Sequence, residues 1–491
     1  MAAKDGCVVW SVLFILGAGV VGLCFLIGAL GPAHTVSSEF SMAMCMGRDL
    51  VARSKGELVD HDSCTRYGQV NAEYGFSDHF DHTVKDMVLL AEMPYRNVEA
   101  VFSRWFHFMM VDLDVQFKSR KFLNDIHDAD IPLLALDVSI GYRDTLKGPW
   151  KMLSNGTVVR HLNCPVDEQT GQRECNMVPL FELGSVHHLR YLVNLRFHFI
   201  PLADHVHEYR GLSQLSDFSL IEIHQSLRFT QIWLAMKSVL FVLTTASLVT
   251  YLARGRGRPK NLVDKTLIGA GMAVACLGFP IEFLSLFIDC PWMIVYSDIR
   301  SGLVILALCI HWIVFIGEHT EVSQTGQSII KYWKQILCIS LSCSTLFVYE
   351  FCERGIQVVY PFFTMWESPT TAKVAYSFLW VAIGLAVLYA LMLVAAVVQV
   401  WWSITKKEKI LETMSEGAKL DYRKSMSRFK FLLFVLVVTS ALVISTFVPT
   451  ELHEYGLEAS PETYSIYSGI LTGTYSLFNV YVIIVLIVST L

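Results

Sequence analysis

Charged side chains are scarce in this chain: Asp, Glu, Lys and Arg make up 17% of its 491 residues, against about 25% in an ordinary soluble domain. Hydrophobic residues reach 53% and aromatic residues 12%. So little polar surface cannot cover so much apolar volume, which excludes a water-soluble fold. A basic excess is missing too. The formal net charge is −5, so nothing is in surplus to neutralise phosphates, and a nucleic-acid partner is not expected. Catalytic signatures are also absent from the sequence. The His-Glu pairs at His207 and His453 lack the second histidine one helical turn on, and there is no GxSxG, no P-loop and no Cys/His array with structural-zinc spacing. No enzymatic activity, cofactor or metal site is expected. The 16 histidines, among them His79, His82, His187 and His188, read as surface or strand-edge residues.

What is present is apolar sequence in long runs. Cys7 to Leu30 carries no charge, and its length crosses a ~30 Å hydrocarbon core at about 1.5 Å per residue. A polar interval follows to about Arg228. Apolar spans then recur at about 232–253, 266–288, 301–317, 335–351, 374–402, 429–449 and 465–490, with a polar loop of about 26 residues, Ser403–Arg428, before the seventh of the eight. The chain therefore divides into an N-terminal stub and first helix (1–30), a polar domain (31–230) and seven further spans (231–491). Spans 301–317, with His311, and 335–351 are the ones expected to tuck against neighbours rather than face lipid. The first run exceeds the 7–15 residues typical of a signal-peptide core, so a retained anchor is expected over a segment cleaved near Ala29-Leu30-Gly31.

Orientation follows from the short loops. Arg254, Arg256, Arg258, Lys260 and Lys265 lie after the second span, and Lys406, Lys407, Lys409, Lys419, Arg423, Lys424 and Arg428 before the seventh. The loop between the last two spans holds Glu451, Glu454, Glu458 and Glu462 and no basic residue. Basic loops stay cytosolic, so both termini are expected in the cytosol and the polar domain in the lumen. Asn155-Gly156-Thr157 is a glycosylation sequon that has meaning only there. Four cysteines in the same domain, Cys45, Cys64, Cys164 and Cys175, suggest two disulfides. Three pairings are possible, of which Cys45–Cys64 with Cys164–Cys175 is the local one. The other eight cysteines read as small packing residues. Period-two alternation in 109–117, in Leu134, Leu136, Val138, Ile140 and Tyr142, and in Val193, Leu195, Phe197 and Phe199 predicts half-buried strands and an all-β sandwich.

Ionisable groups at membrane depth are costly, and they mark either function or pairing between helices. Glu282 follows Pro280 in the third span, Asp298 and Arg300 open the fourth, Glu350, Glu353 and Arg354 close the fifth, and Asn479 lies deep in the last beside Tyr475 and Tyr481. Two readings stand: interhelical pairing that holds the bundle, or a polar-rimmed cavity opening to the lumen. Glu282 keeps a transporter in view, although no repeated acidic pair in matching halves accompanies it.

Several collinear segments resemble the Wntless (Evi/Sprinter) family. They are Asp137-Val-Ser-Ile-Gly-Tyr-Arg-Asp144, Glu222-Ile-His-Gln225 with 229–237, Phe279-Pro-Ile-Glu282, Ser297-Asp-Ile-Arg-Ser-Gly302, Gly317-Glu-His319, Tyr332-Trp-Lys-Gln335, Cys352-Glu-Arg-Gly-Ile-Gln357 and Thr472-Gly-Thr-Tyr-Ser-Leu-Phe-Asn479. The resemblance covers roughly 450 residues. It implies a multi-pass α-helical membrane protein: an anchor, a GPCR-like seven-helix bundle, and a lumenal GOLD-like β-sandwich. It further implies a cargo receptor that escorts palmitoleoylated Wnt proteins through the secretory pathway, the sandwich gripping protein and a bundle cavity taking the acyl chain. Glu282, Asp298, Arg300, Glu353, Arg354, Tyr475 and Asn479 are the candidates for that cavity's rim. Helices beginning at Asp298, ending at Glu353 and spanning Val374–Trp402 are the candidates for its walls. Implied partners are Wnt proteins, membrane lipids, retromer and clathrin adaptors, and implied compartments are the endoplasmic reticulum, Golgi, endosomes and plasma membrane. The family's tyrosine-based sorting signal is degenerate here: Tyr422 is followed by Arg, Lys and Ser425 where a bulky apolar residue is expected. Leu491 ends the sequence within or just past the last span, where relatives carry a cytosolic tail. The alternatives are a lipid-independent GOLD-domain sorting receptor and a signalling seven-helix receptor. Against the latter, the third span ends in the lumen and shows no Asp-Arg-Tyr-like cytosolic triplet, and Asp298-Ile-Arg300 falls on the lumenal side.

Overall fold

Alternation of period two builds one half of the molecule and apolar helices build the other. A computed structural model describes residues 2–46, 58–60, 66–69, 87–94, 101–117, 133–162, 164, 175–197, 215–256, 260–320, 328–365, 368–411, 416–454 and 461–490. The first helix, α1 (Ala2–Leu30), leads directly into strands. These are β1 (Thr35–Ser41), β2 (Ala43–Met46), β3 (Arg66–Gln69), β4 (Met87–Met93), β5 (Met109–Phe117), β6 (Leu133–Arg143), β7 (Lys151–His161), β8 (Val178–Leu183), β9 (Arg190–Phe197) and β10 (Leu215–Gln225). They pair into a four-stranded sheet, β1-β10-β5-β8, and a six-stranded sheet, β3-β2-β4-β9-β6-β7. The pairings are antiparallel.

The alternation chooses the inner face. Met109, Val111, Leu113 and Val115 of β5 are buried while Met110, Asp112 and Asp114 between them are not, and Leu134, Leu136, Val138 and Ile140 of β6 face them across the sandwich. The β9 strand is buried on both faces, because residues 58–60 lie over its outer side. Asn194 accepts from Val59 N (2.8 Å) and donates to Val59 O (2.9 Å). A Cys164–Cys175 disulfide closes the segment between β7 and β8, and Cys45 is also disulfide-bonded. Cys64 lies outside the described residues, as do His79 and His82.

Seven further helices follow: α2 (Leu227–Arg254), α3 (Leu262–Gly278), α4 (Met293–Thr320), α5 (Trp333–Glu350), α6 (Pro369–Leu411), α7 (Glu416–Glu454) and α8 (Pro461–Thr490). Among the described residues, eight helices including α1 are long and apolar enough to cross a membrane. Three expectations change. The third span is interrupted: α3 stops at Gly278, and after Phe279-Pro280 the chain makes only a 3-10 turn, Ile281–Leu286. Proline lacks the N–H that would continue the ladder, and its ring disfavours helical backbone in the residue before it. The 26-residue polar loop is largely helical, since α6 runs to Leu411 and α7 begins at Glu416. Its Lys, Glu, Leu and Met are good helix formers, and Glu451 and Glu454 likewise belong to α7. Finally, α4 is tucked inside as expected, with Val304, Leu308, Trp312, Val314 and Ile316 buried, whereas α5 exposes Leu337, Leu341, Phe347 and Val348.

Helix neighbours define an incomplete ring. The order α8, α2, α3, α4, α5, α6 is continuous, α4 also touches α6, and α1 lies outside against α8. The next helix, α7, packs along α8 and α1; among the described residues α6 and α7 barely approach one another. The α1–α8 contact is a close one. A Cβ on Gly28 would sit 2.5 Å from Ser468 O, and one on Gly469 would sit 2.8 Å from Ala29 Cβ. Thr472 Oγ1 donates to Cys24 O at 2.9 Å. Small residues let two backbones approach in lipid, where hydrophobicity itself gives no preference for a protein neighbour.

Candidate functional site at the sandwich–bundle junction

Two of the ionisable residues singled out in the sequence meet in one cluster. Glu282 Oε1, on the 3-10 turn after Pro280, accepts from Lys237 Nζ of α2 at 2.5 Å and from Arg300 Nη2 of α4 at 2.6 Å. Arg300 Nη1 reaches the carbonyl oxygen of Phe279, exposed by the break in the helix, at 3.0 Å. All three side chains are buried. Their sum is two cations to one carboxylate. Aromatic faces take part of the surplus: Lys237 Nζ is 5.6 Å from the Trp233 ring centroid and 5.8 Å from that of Tyr475, and the Arg300 guanidinium is 4.7 Å from that of Tyr296. Lys237 went unnoticed in the sequence because a single lysine near a helix start usually snorkels to the interface. It is recognisable only once Glu282 is known to face it.

The sandwich closes this cluster from above. His107, on the segment before β5, presents a buried Nε2 with no hydrogen-bond partner among the described residues and lies in the field of both Glu282 and Lys237. Burial holds its pKa down at about 4, against the opposing pull of Glu282. Burial and the neighbouring His107 hold His34 at about 4 as well. His34 stands where three segments join: its N–H donates to Ser468 Oγ of α8 (2.9 Å), its carbonyl accepts from Ser226 N (2.8 Å), and its ring meets Phe229 edge-on at 4.9 Å. Arg104 Nη1 donates to Leu286 O, and Trp105 packs on Phe283.

The remaining candidates separate from this centre. Asp298 lies two residues before Arg300 and so points elsewhere on α4; it accepts from Arg354 Nη1 at 3.1 Å, and Arg354 also pairs with Glu350 at 3.5 Å. Glu353 accepts from Thr364 at 3.4 Å. Tyr475 borders Lys237, with its hydroxyl buried. Asn479 is deeper, bridging helices by accepting from Thr244 (2.9 Å) and donating to Tyr475 O (3.0 Å). Asn155 is exposed on β7. Tyr422 lies within α7, its side chain outside the described set. Among the described residues no group of three or more His, Cys, Asp or Glu is placed to hold a metal ion.

A second junction was not legible in the sequence. After α5 the chain makes a π-helical turn, Phe351–Gly355, and then sends Phe362 into the core of the sandwich, where it packs on Phe181. Arg160 Nη2 donates to Phe362 O at 2.7 Å, and Glu182 N donates to Pro361 O at 3.0 Å. The connection between α5 and α6 is thus part of the sandwich.

A two-sheet β-sandwich joined through buried contacts to a seven-helix bundle, with one helix preceding both, defines a GOLD-domain multi-pass membrane protein. The family model for the Wntless GOLD domain matches residues 53–225, and that for the Wntless-like transmembrane domain matches 226–489. The chain belongs to the Wntless family. Protein wntless homolog B of Xenopus laevis is 33% identical over 407 residues, covering 81% of this chain and 73% of the relative. Protein wntless homolog of Homo sapiens is 29% identical over 495 residues, covering 98% and 88%. Protein wntless of Drosophila ananassae is 34% identical over 401 residues, covering 79% and 70%.

Proposed function

We propose that this protein serves Wnt secretion as a non-enzymatic cargo receptor, binding palmitoleoylated Wnt proteins and escorting them to the cell surface. The sandwich faces the lumen, both termini face the cytosol, and the receptor travels through the endoplasmic reticulum, Golgi, endosomes and plasma membrane. The asymmetry of the loops supports that orientation. Arg254, Arg256, Lys260 and Lys265 flank the α2–α3 turn on the side away from the sandwich. Retromer, clathrin adaptors and membrane lipids are the further partners of this reading.

The observation that carries the lipid part is that, among the described residues, α6 and α7 hardly touch one another. An acyl chain of 16 carbons gains about 0.8 kcal/mol for each CH₂ kept out of water, so the receptor must hold it in an apolar slot. Between two such helices the acyl chain enters the bundle sideways from the bilayer while its ester stays at the polar end. Glu282, Asp298, Arg300, Glu353, Arg354, Tyr475 and Asn479 then form the rim and floor of that slot, with α4, α5 and α6 as its walls. Co-purification with acylated and serine-substituted Wnt tests the function. Preferential recovery of the acylated form is expected; equal recovery favours a lipid-independent sorting receptor. Photocrosslinking from an alkyne-labelled acyl chain tests the slot, and label confined to α1 would remove it.

A further inference from the structure

We infer that Asn155 carries an N-linked glycan, which shields the open end of the six-stranded sheet. The inference rests on the lumenal placement of the sandwich proposed above. Asn155-Gly156-Thr157 is the one Asn-x-Ser/Thr sequence in the chain. Such a triplet occurs by chance often enough that the motif alone decides little; its placement decides more. Among the described residues, β7 forms the edge of its sheet and pairs only with β6. Because side chains alternate along a strand, the two residues the transferase reads, Asn155 and Thr157, share the outer face, and both are exposed. They lie opposite the polar residues Ser139 and Asp137 of β6. Gly156 between them faces inward, where a Cβ would meet Tyr360 Oη at 2.7 Å and the Phe362 ring at 2.8 Å. The motif is therefore solvent-facing at both positions the transferase reads and closely packed at the middle one.

The same strand shows what a glycan would cover. Its second half, from Val158 to His161, is closed in by β8 and by the Phe362 loop through Arg160. Its first half is open: Met152 is 38% and Leu153 is 37% exposed. A long edge strand with apolar side chains and unpaired backbone groups invites pairing with another chain unless something covers it. A branched oligosaccharide at Asn155 projects over this open half and makes intermolecular pairing there unfavourable. The transfer itself uses the lipid-linked oligosaccharide donor of the secretory pathway. Asn155 Nδ2 bonds to the anomeric carbon of the sugar as the carbon–oxygen bond to the lipid diphosphate breaks. The diphosphate leaves with that electron pair, and Nδ2 gives up one proton to the transferase's base.

The test is expression of the full chain in cells with an intact secretory pathway, followed by peptide N-glycosidase F and gel mobility. The native chain and T157S are expected to shift on treatment, whereas N155Q and T157A run at the treated position from the start. The double variant N155Q/M152N supplies a control, since an asparagine placed before Leu153 and Ser154 makes a new acceptor triplet three residues away on the same strand. If the control shifts and the native chain does not, the site at Asn155 is overturned while the orientation stands. If neither shifts, the site and the lumenal placement fall together.

Discussion

Arg160 Nη2 donates to the backbone carbonyl of Phe362 at 2.7 Å, tying an edge strand of the sandwich to a loop that belongs to the bundle. The pair is separated by about two hundred residues, and around it Phe362 is 1% exposed inside the sandwich core. Truncating a core phenylalanine typically costs about 3–5 kcal/mol. Phe362→Ala should therefore lower the thermal midpoint of the purified receptor, and limited proteolysis should cut on both sides of position 362 where the native chain resists. Phe362→Leu keeps most of the volume and should recover most of the loss. If Phe362→Ala melts and digests like the native chain, the loop does not hold the two parts together.

The Lys237–Glu282–Arg300 cluster makes an asymmetric prediction. Removing Lys237 as Lys237→Met leaves one buried cation on one carboxylate, a balanced pair. Removing the carboxylate as Glu282→Gln leaves two buried cations facing one amide. Breaking a buried pair from one side costs about 3–5 kcal/mol because the survivor stays desolvated. Glu282→Gln should therefore reduce folded yield and thermal midpoint well beyond Lys237→Met, measured side by side in the same detergent. Equal losses would mean that Arg300 does not compensate.

Much of this architecture was legible before any coordinates. The strands over 109–117 and 133–143 and the eight apolar spans follow from periods and lengths, which are local properties of sequence. The chemistry at the junction was only half legible. Glu282 and Arg300 drew attention because a charge at membrane depth needs a reason, but sequence assigns no partner: Asp298 and Arg300, two residues apart, turn out to serve different clusters. Lys237 ends a segment that resembles the family, but neither it nor His107 carries a local sign of its partners, and both matter through residues brought to them by folding. Phe362 is the extreme case. A phenylalanine in a short loop between two spans reads as a membrane-interface residue, and only tertiary structure places it between two sheets.

Acid should loosen the junction before it unfolds the sandwich. His34 and His107 are held at about 4 in the folded protein, against roughly 6.5 when exposed. Between these values the unfolded or opened state binds more protons, so stability is fully present above pH ~6.5 and is lost as pH falls toward 4. The loss amounts to at most about 3 kcal/mol for each histidine. Burial, aided by Lys237, outweighs the pull of Glu282 that would protonate His107; His34 faces His107, Phe108 and Phe229. Amide protection over residues 101–109, corrected for the intrinsic exchange rate at each pH, should fall between pH 7.5 and 5, and His107→Phe should flatten that fall. A profile unchanged by the substitution would assign the acid response to other groups.

The docking of α1 makes the last prediction. Gly28 and Gly469 bring two backbones so close that any side chain at either position must push the helices apart, since the atoms in the way include the carbonyl oxygen of Ser468. Backbone cannot yield as a flexible side chain does. Gly28→Leu and Gly469→Leu should each detach α1 from α8, breaking the Thr472–Cys24 contact and exposing the small-residue face of α8 to lipid. Gly22→Leu, where among the described residues nothing lies within 4 Å of the added Cβ, should be tolerated and serves as the control. A disulfide trap between the native Cys24 and Thr472→Cys, which leaves both glycines in place, measures the same contact in membranes. Crosslinking is expected in the otherwise native chain, and it should vanish when Gly28→Leu is added. Persistent crosslinking in the presence of Gly28→Leu would show that α1 reaches α8 by some other surface.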